Sequence, residues 1–130
     1  FMGPEEVLRG LRGEVEAALG DEAVVTKAVE RMLEVLPPGA SKGAGVLQAL
    51  DMLGLRPGDC LALGDGENDL EMLEMVRVDG GVAVAMGNGV PKLKSAAEFV
   101  VATNDEGGAA EALQRFALDG EHVRVQEAVS

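Results

Sequence analysis

Apolar residues near the start of the chain recur at helical spacing. In the segment PEEVLRGLRGEVEAAL (4–19) they return every three or four positions, at Val7, Leu8, Leu11, Val15, Ala18 and Leu19. This period places the apolar side chains on one face of an α-helix. Pro4 suits the first turn of a helix, and Gly20 suits the position just past its end. The pattern therefore predicts one amphipathic helix over 4–19.

Two short segments that follow have the composition of β-strands. The segments AVVTKAV (23–29) and RMLEVL (31–36) are rich in branched apolar side chains. The tripeptide PPG at 37–39 then interrupts the pattern, because proline and glycine break regular structure. We predict strands at 23–29 and 31–36, and a domain boundary near residue 37.

A second helix is predicted just beyond this boundary. Ser41 is a good N-terminal cap, and Gly54 is a suitable terminator after Leu53. We expect four apolar side chains of this helix to face inward, namely Val46, Leu47, Leu50 and Leu53.

Helical and strand-like segments then alternate to residue 118. The run CLAL (60–63) is continuously apolar, as in a strand covered on both faces. Further strands are predicted at 82–86 and 99–101, and further helices at 67–76, 91–97 and 107–118. This alternation is typical of an α/β fold in which helices flank a parallel sheet. Residues 119–130 have no clear period, and we expect a loose tail there.

Composition and charge narrow the class of protein. Hydrophobic residues make up 47% of the 130 residues, which is enough for a real core. The net charge of −12 argues against binding to nucleic acid or to an anionic membrane surface, and it suits a protein that binds cations. Cys60 is the only cysteine, so no internal disulfide forms. No apolar run reaches membrane-spanning length; we expect a soluble protein, and the sequence leaves its compartment, cytoplasmic or organellar, open.

The segment LALGDGENDLEML (61–73) carries the candidate chemistry. Its acidic part follows a predicted strand, which is where ligands bind in a parallel α/β sheet. Carboxylate oxygens are preferred ligands of Mg²⁺, so Asp65 and Asp69 are candidate metal ligands. Asn68 can donate two N–H bonds to a phosphate without adding charge. The alternative is purely structural: acidic residues in the first turn of a helix are stabilised by the helix dipole.

Other nucleotide- and metal-binding patterns are excluded by spacing. A calcium loop of the EF-hand type that starts at Asp65 needs Gly and Glu where Leu70 and Val76 stand. No Gly-Lys-Ser/Thr sequence occurs, which excludes a Walker phosphate loop. We interpret Gly87-Asn88-Gly89 as a turn and not as a dinucleotide-binding fingerprint.

Lys42 is a second candidate, at the start of the helix predicted from Ser41. A helix N-terminus binds anions, and a positive side chain there opposes the dipole preference unless a phosphate lies nearby. The alternative is an ordinary solvated lysine. Lys42 and Asp65 are expected at comparable ends of neighbouring strand–helix units.

Taken together, these motifs resemble those of the haloacid dehalogenase-like (HAD) phosphatases, most closely the Cof-type branch with a class IIB cap. The resemblance covers about residues 4–118 and rests on segments in the family's order and spacing: MLEVLPPGASKGAGVLQAL, LALGDGENDLEML, GVAVAMGNGVPKLKSAAEFVV and TNDEGGAAEAL. It implies that residues 1–36 are the last part of an α+β cap domain. It also implies that residues 37–118 are the C-terminal half of a Rossmann-like core, followed by the tail at 119–130.

The resemblance also implies roles for individual residues. Lys42 matches the lysine that neutralises the nucleophile and the phosphate, and Asn68 matches the asparagine that contacts the phosphate. Asp65 matches the acidic Mg²⁺ ligand. Asp69 matches the second acid, which reaches the metal through water or orients the loop. The implied cofactor is Mg²⁺ and the implied substrate a small phosphorylated metabolite, whereas Asn104 and Asp105 are assigned a structural role as caps of the last helix.

One part of the family's machinery is missing from the 130 residues. The nucleophile and the general acid of these enzymes are two aspartates in Asp-x-Asp-x-Thr, and no two aspartates of this sequence are two positions apart. We therefore expect a C-terminal portion of a phosphatase that is inactive alone. A catalytically dead metal- or phosphate-binding remnant and an interaction module are the alternatives. In the resembled family, the missing N-terminal segment supplies the strand next to the one at 60–63. Its absence would leave strand edges unpaired, so we expect self-association through these edges.

Overall fold

The computed structural model describes residues 1–27 and 30–120. Its first part is a helix, α1 (Glu5–Leu19), followed by two antiparallel strands, β1 (Val24–Thr26) and β2 (Glu34–Leu36). The helix predicted over 4–19 is confirmed. Both strands are present but are shorter than predicted, and the last two positions of the segment 23–29 lie outside the described residues.

The second part alternates helices with parallel strands. Three strands form a sheet in the order β3-β4-β5, and the pairs β3–β4 and β4–β5 are both parallel. This confirms the predicted α/β class. The elements are α2 (Lys42–Leu53), β3 (Leu61–Gly64), α3 (Leu70–Val78), β4 (Val82–Ala85), α4 (Pro91–Ala96), β5 (Phe99–Val100) and α5 (Gly108–Ala112).

Local signals set the ends of α2 as expected. The Ser41 hydroxyl accepts a hydrogen bond of 3.0 Å from the backbone N–H of Ala44. Gly54 ends the helix with φ 67°, a left-handed conformation that favours glycine.

The final helical region differs from the prediction of one helix over 107–118. It begins with a 3₁₀ turn (Asn104–Glu106), continues as α5 and ends in a π-helical turn (Leu113–Leu118). The cap of its first turn is Thr103, whose hydroxyl donates to the Glu106 carboxylate at 2.8 Å. The assignment of this role to Asn104 and Asp105 was wrong, because these residues lie inside the turn that Thr103 caps.

The core lies on both faces of the three-stranded sheet. All four residues of β4 are buried, and they alternate between two apolar clusters. One cluster packs under α3 and α4 and contains Ala62, Leu73, Val76, Ala83, Ala85 and Leu93. The other packs under α5 and contains Val82, Val84, Met86, Val101, Ala112 and Phe116.

Two burial predictions fail at the margins of this core. β3 is not covered on both faces, since Ala62 is buried whereas Leu61 and Leu63 are partly exposed. In the part of the chain that the structure describes, β3 pairs only with β4 and is therefore an edge strand. On α2, Leu47 and Leu53 are 46% and 71% exposed, because this helix packs mainly against α3.

The end of the chain lies mostly outside the described residues. The predicted tail at 119–130 is described only for Asp119 and Gly120, and His122 falls beyond them. Among the helices within 1–27 and 30–120, none is long and apolar enough to cross a bilayer.

Candidate functional site

The acidic segment occupies the carboxyl end of β3. The strand ends at Gly64, Asp65 follows on the surface, and a 3₁₀ turn (Glu67–Asp69) leads into α3. A Cβ atom on Gly64 would lie 2.5 Å from the Cβ of Asp69, so only glycine permits this close approach. The loop therefore folds back onto the strand that precedes it.

Asp69 holds this loop together. Its side chain is 5% exposed, and its Oδ2 accepts hydrogen bonds from the backbone N–H groups of Asp65 (3.0 Å) and Gly66 (2.9 Å). Its Oδ1 accepts a hydrogen bond of 2.5 Å from the ammonium group of Lys42, which is itself half exposed. The structure thus joins two of the predicted site residues and shows Asp69 orienting the loop. A metal-binding role of Asp69 stays a prediction.

Asn68 carries an unpaired polar atom. Its Oδ1 is buried and has no hydrogen-bond partner among the described residues. Buried polar atoms in proteins are almost always paired, so an exception calls for an explanation. Asn68 lines a cavity of about 540 Å³ together with Lys42. A ligand in this cavity that presents a donor or a cation would satisfy the oxygen.

Residues from both parts of the chain line this cavity. Thr26 and Glu34 come from β1 and β2, whereas Lys42 and Asn68 come from the α/β part. A second cavity, of about 720 Å³, lies beside the acidic loop and includes Asp65 and Asn88. Glu67 and Lys92 line both cavities. Lys42 and Asn68 therefore line one cavity and Asp65 lines the other, whereas Asp69 is buried.

Glu67 is engaged by a residue far away in the sequence. The guanidinium of Arg12 on α1 donates to both of its carboxylate oxygens, at 2.8 and 2.9 Å. The same guanidinium donates to the backbone carbonyl of Val25 at 3.1 Å. The hydrogen bonds from Arg12 lower the pKa of Glu67, against a smaller opposing effect of burial. Glu67 therefore ties α1 and β1 to the acidic loop, and no periodicity or spacing in the sequence signals this pair.

Asn88 is a second residue whose contact with the acidic loop the sequence did not predict. Gly87-Asn88-Gly89 is a turn as predicted, with a hydrogen bond of 2.8 Å from Gly89 N–H to the Met86 carbonyl. The Asn88 side chain, however, donates to Oδ2 of Asp65 at 2.9 Å. A signal existed: Asn88 follows β4, and the carboxyl ends of parallel strands meet at one edge of a sheet.

The oxygen donors of the site are compatible with Mg²⁺ but are few. Among the described residues, no group of three or more His, Cys, Asp or Glu side chains is arranged to hold a metal ion. Among the described residues, the Asp65 carboxylate accepts a hydrogen bond only at Oδ2, and Oδ1 of Asn68 has no partner. Mg²⁺ keeps several water molecules and is commonly bound by one or two carboxylates plus a substrate phosphate. Asp65 therefore supplies one oxygen donor of the correct kind for such an ion.

A sequence profile of haloacid dehalogenase-like hydrolases matches residues 1–113. The chain belongs to this family. Among solved structures, a HAD-like hydrolase from B. subtilis superposes with a TM-score of 0.75 at 31% identity, over 88% of this chain and 38% of that one. A sugar phosphatase of HAD subclass IIB superposes with a TM-score of 0.74 at 26% identity, over 84% and 40%. The predicted resemblance to class IIB phosphatases and the predicted fold are confirmed.

Curated relatives include proteins with different names. A chloroplastic endoribonuclease, YBEY, of Arabidopsis thaliana is 45% identical over 101 residues, which are 78% of this chain and 17% of that protein. An HMP-PP phosphatase of Enterobacter sp. (strain 638) is 42% identical over 93 residues, which are 72% of this chain and 33% of that protein. The HAD-like chain thus spans one third or less of the length of these two relatives.

Proposed function

We propose that this chain carries the metal- and phosphate-positioning half of a Mg²⁺-dependent phosphatase that acts on small phosphorylated metabolites. The observation that carries the proposal is the buried Oδ1 of Asn68, unpaired among the described residues, on a residue that lines one cavity together with Lys42. Family membership supports the reaction class. The names of two similar proteins, an HMP-PP phosphatase and a sugar phosphatase, support a small phosphate ester as substrate.

Lys42 and Asp65 provide charged groups of the proposed site, and Asn68 orients the phosphate. Lys42 is held by Asp69 yet is half exposed, so its ammonium group retains N–H donors for a phosphate oxygen. Asn68 lines the same cavity and orients the phosphate through its amide group. Asp65 would hold Mg²⁺, and a bound Mg²⁺ would neutralise part of the charge on the transferring phosphoryl group. Electrostatic stabilisation of this kind commonly contributes more to catalysis than any other single effect.

These groups position a phosphate but do not attack it. The 130 residues contain no Asp-x-Asp pair, and the resemblance assigns the nucleophile and the general acid to such a pair. The covalent route therefore needs a segment that supplies both aspartates. We propose that the chain alone has no turnover.

We further propose that residues 1–36 are part of the cap domain and residues 37–118 part of the catalytic core. The cavity that contains Lys42 is bounded by β1 and β2 on one side and by the α/β part on the other. A phosphate bound at Lys42 would therefore place the rest of the substrate against Thr26 and Glu34. This arrangement assigns selection of the substrate to the first segment.

Joining the chain to an upstream segment tests the proposal. The segment should carry Asp-x-Asp-x-Thr and come from a similar bacterial phosphatase, and turnover of p-nitrophenyl phosphate and of sugar phosphates should be measured with Mg²⁺. We expect no turnover by the chain alone and measurable turnover by the fusion. In the fusion, Lys42→Ala and Asp65→Asn should each lower kcat by about 10²–10³, as does removal of an electrostatic catalytic group.

The matched control is Asp51→Asn on the exposed surface of α2, which should leave kcat unchanged. Turnover by the chain alone that depends on Asp65 would overturn the proposal that the chain positions the phosphate but lacks the nucleophile. A folded fusion that binds Mg²⁺ but has no activity would favour the catalytically dead remnant.

A further inference from the structure

The turn after β4 lies across Asp65. The backbone N–H of Val90 donates to the Asp65 carbonyl at 3.0 Å, and the Asn88 amide donates to its carboxylate at 2.9 Å. Between these two contacts, a Cβ atom on Gly89 would lie 3.4 Å from the Cα of Asp65 and 2.9 Å from the carbonyl oxygen of Met86. Backbone and side chain of one turn thus contact both the backbone and the side chain of Asp65.

Asn88 is itself held in place from the opposite side. Its Oδ1 accepts a hydrogen bond of 2.9 Å from the backbone N–H of Asn104. Because a backbone N–H only donates, this bond identifies the oxygen of the amide and directs the Nδ2 donor to Asp65. The turn is also anchored at Gly87, whose carbonyl accepts from Lys94 at 2.5 Å and whose N–H donates to Ala102 at 3.0 Å. The amide therefore has one orientation, set by the loops after β4 and β5.

We infer that Asn88 is a positioning residue for Asp65. Its amide occupies Oδ2, restricts the rotation of the carboxylate and leaves Oδ1 without a hydrogen bond among the described residues. A neutral donor suits this task, because a cation in its place would compete with a bound metal and a carboxylate would repel Asp65. This inference rests on the proposed function, in which Asp65 binds Mg²⁺.

Residues that do not bind a metal ion themselves commonly tune its site by orienting the residues that do. A partner that orients a ligating carboxylate contributes to metal affinity, and its loss typically lowers that affinity 10- to 100-fold. Asn88 does not need to touch the ion to act in this way. It fixes the ligand before the ion arrives, so less conformational freedom is lost on binding.

The test compares Asn88→Ala with Asn104→Ala in the full chain. Asn104→Ala removes the same type of side chain from the neighbouring loop but retains the backbone N–H that holds Asn88. Titration calorimetry with Mg²⁺ alone should give about tenfold weaker binding for Asn88→Ala and wild-type binding for Asn104→Ala. In an Asp65→Ala background, the further change Asn88→Ala should have no effect. Urea unfolding midpoints close to the wild-type value should show that each variant is folded.

A second measurement does not depend on metal binding. Three-bond NMR couplings should report one χ1 rotamer for Asp65 in the wild-type chain and in Asn104→Ala, and averaged rotamers in Asn88→Ala. If Asp65 is locked by Asn88 but the chain binds no Mg²⁺, the positioning role holds and the proposed cofactor role of Asp65 fails. A single Asp65 rotamer in folded Asn88→Ala, or unchanged Mg²⁺ affinity in that variant, would overturn the inference.

Discussion

Replacement of Asp69 separates a loop-organising role from a metal-binding role. Asp69→Ala leaves the buried N–H of Gly66 without its acceptor, which costs about 1–3 kcal/mol, and removes the bond from Asp65 N–H, which contributes about 1 kcal/mol. The ion pair with Lys42 adds at most about 1 kcal/mol, because the lysine is half exposed and is screened by solvent. The free energy of unfolding should therefore fall by roughly 3 kcal/mol.

Asp69→Asn provides the internal comparison for this estimate. Its amide oxygen still accepts from the two backbone N–H groups, whereas its amide nitrogen cannot accept from Lys42, so the ion pair and its hydrogen bond are lost. The expected destabilisation is about 1 kcal/mol. These two free energies predict a clear order of stability, with Asp69→Ala below Asp69→Asn and both below the wild-type chain.

Urea unfolding followed by circular dichroism, in a buffer free of divalent ions, measures these differences. Asp51→Asn on the exposed surface of α2 is the matched control and should leave the midpoint unchanged. A role of Asp69 in metal binding alone predicts no effect without metal. If Asp69→Ala lies within about 0.5 kcal/mol of the wild type, as surface substitutions do, the loop-organising role is refuted.

Two further predictions concern the first segment and the sheet edge. Arg12 lowers the pKa of Glu67, so their pair stabilises the fold above the ordinary glutamate pKa of 4.5, and this contribution is lost as pH falls through the lowered value. Urea unfolding should thus show Arg12→Ala less stable than the wild type at pH 7, with a difference that shrinks in acid; a difference independent of pH would contradict the ion pair. Because β3 has a strand partner on one edge only within the described residues, sedimentation velocity should detect oligomers at micromolar concentration. The oligomers should dissociate on dilution, and a monomer at all concentrations would show that the β3 edge does not self-associate.

Much of the architecture follows from local patterns in the sequence. The period of apolar residues predicts α1, and the Ser41 cap and Gly54 terminator predict both ends of α2, because each depends on groups within one helical turn. The apolar run at 82–86 predicts a strand, which the structure confirms as β4. The composition of the loop after β3, with glycines around Asp65, indicates the carboxyl end of the sheet, where the structure joins Lys42 to Asp69.

The specific long-range pairs of the candidate site appear only in the tertiary structure. Arg12 and Glu67 are 55 positions apart, and Asn88 and Asp65 are 23 apart, so neither pair has a signature in spacing. Leu53 faces solvent although its pattern predicts burial, because the surface that α2 covers depends on how the helix packs against α3. A local pattern indicates the conformation that a segment prefers. The hydrogen-bond partner of a loop residue is set only when parallel strands bring distant loops to one edge of the sheet. The pairing of these residues depends on packing across the whole sheet, which no single segment encodes.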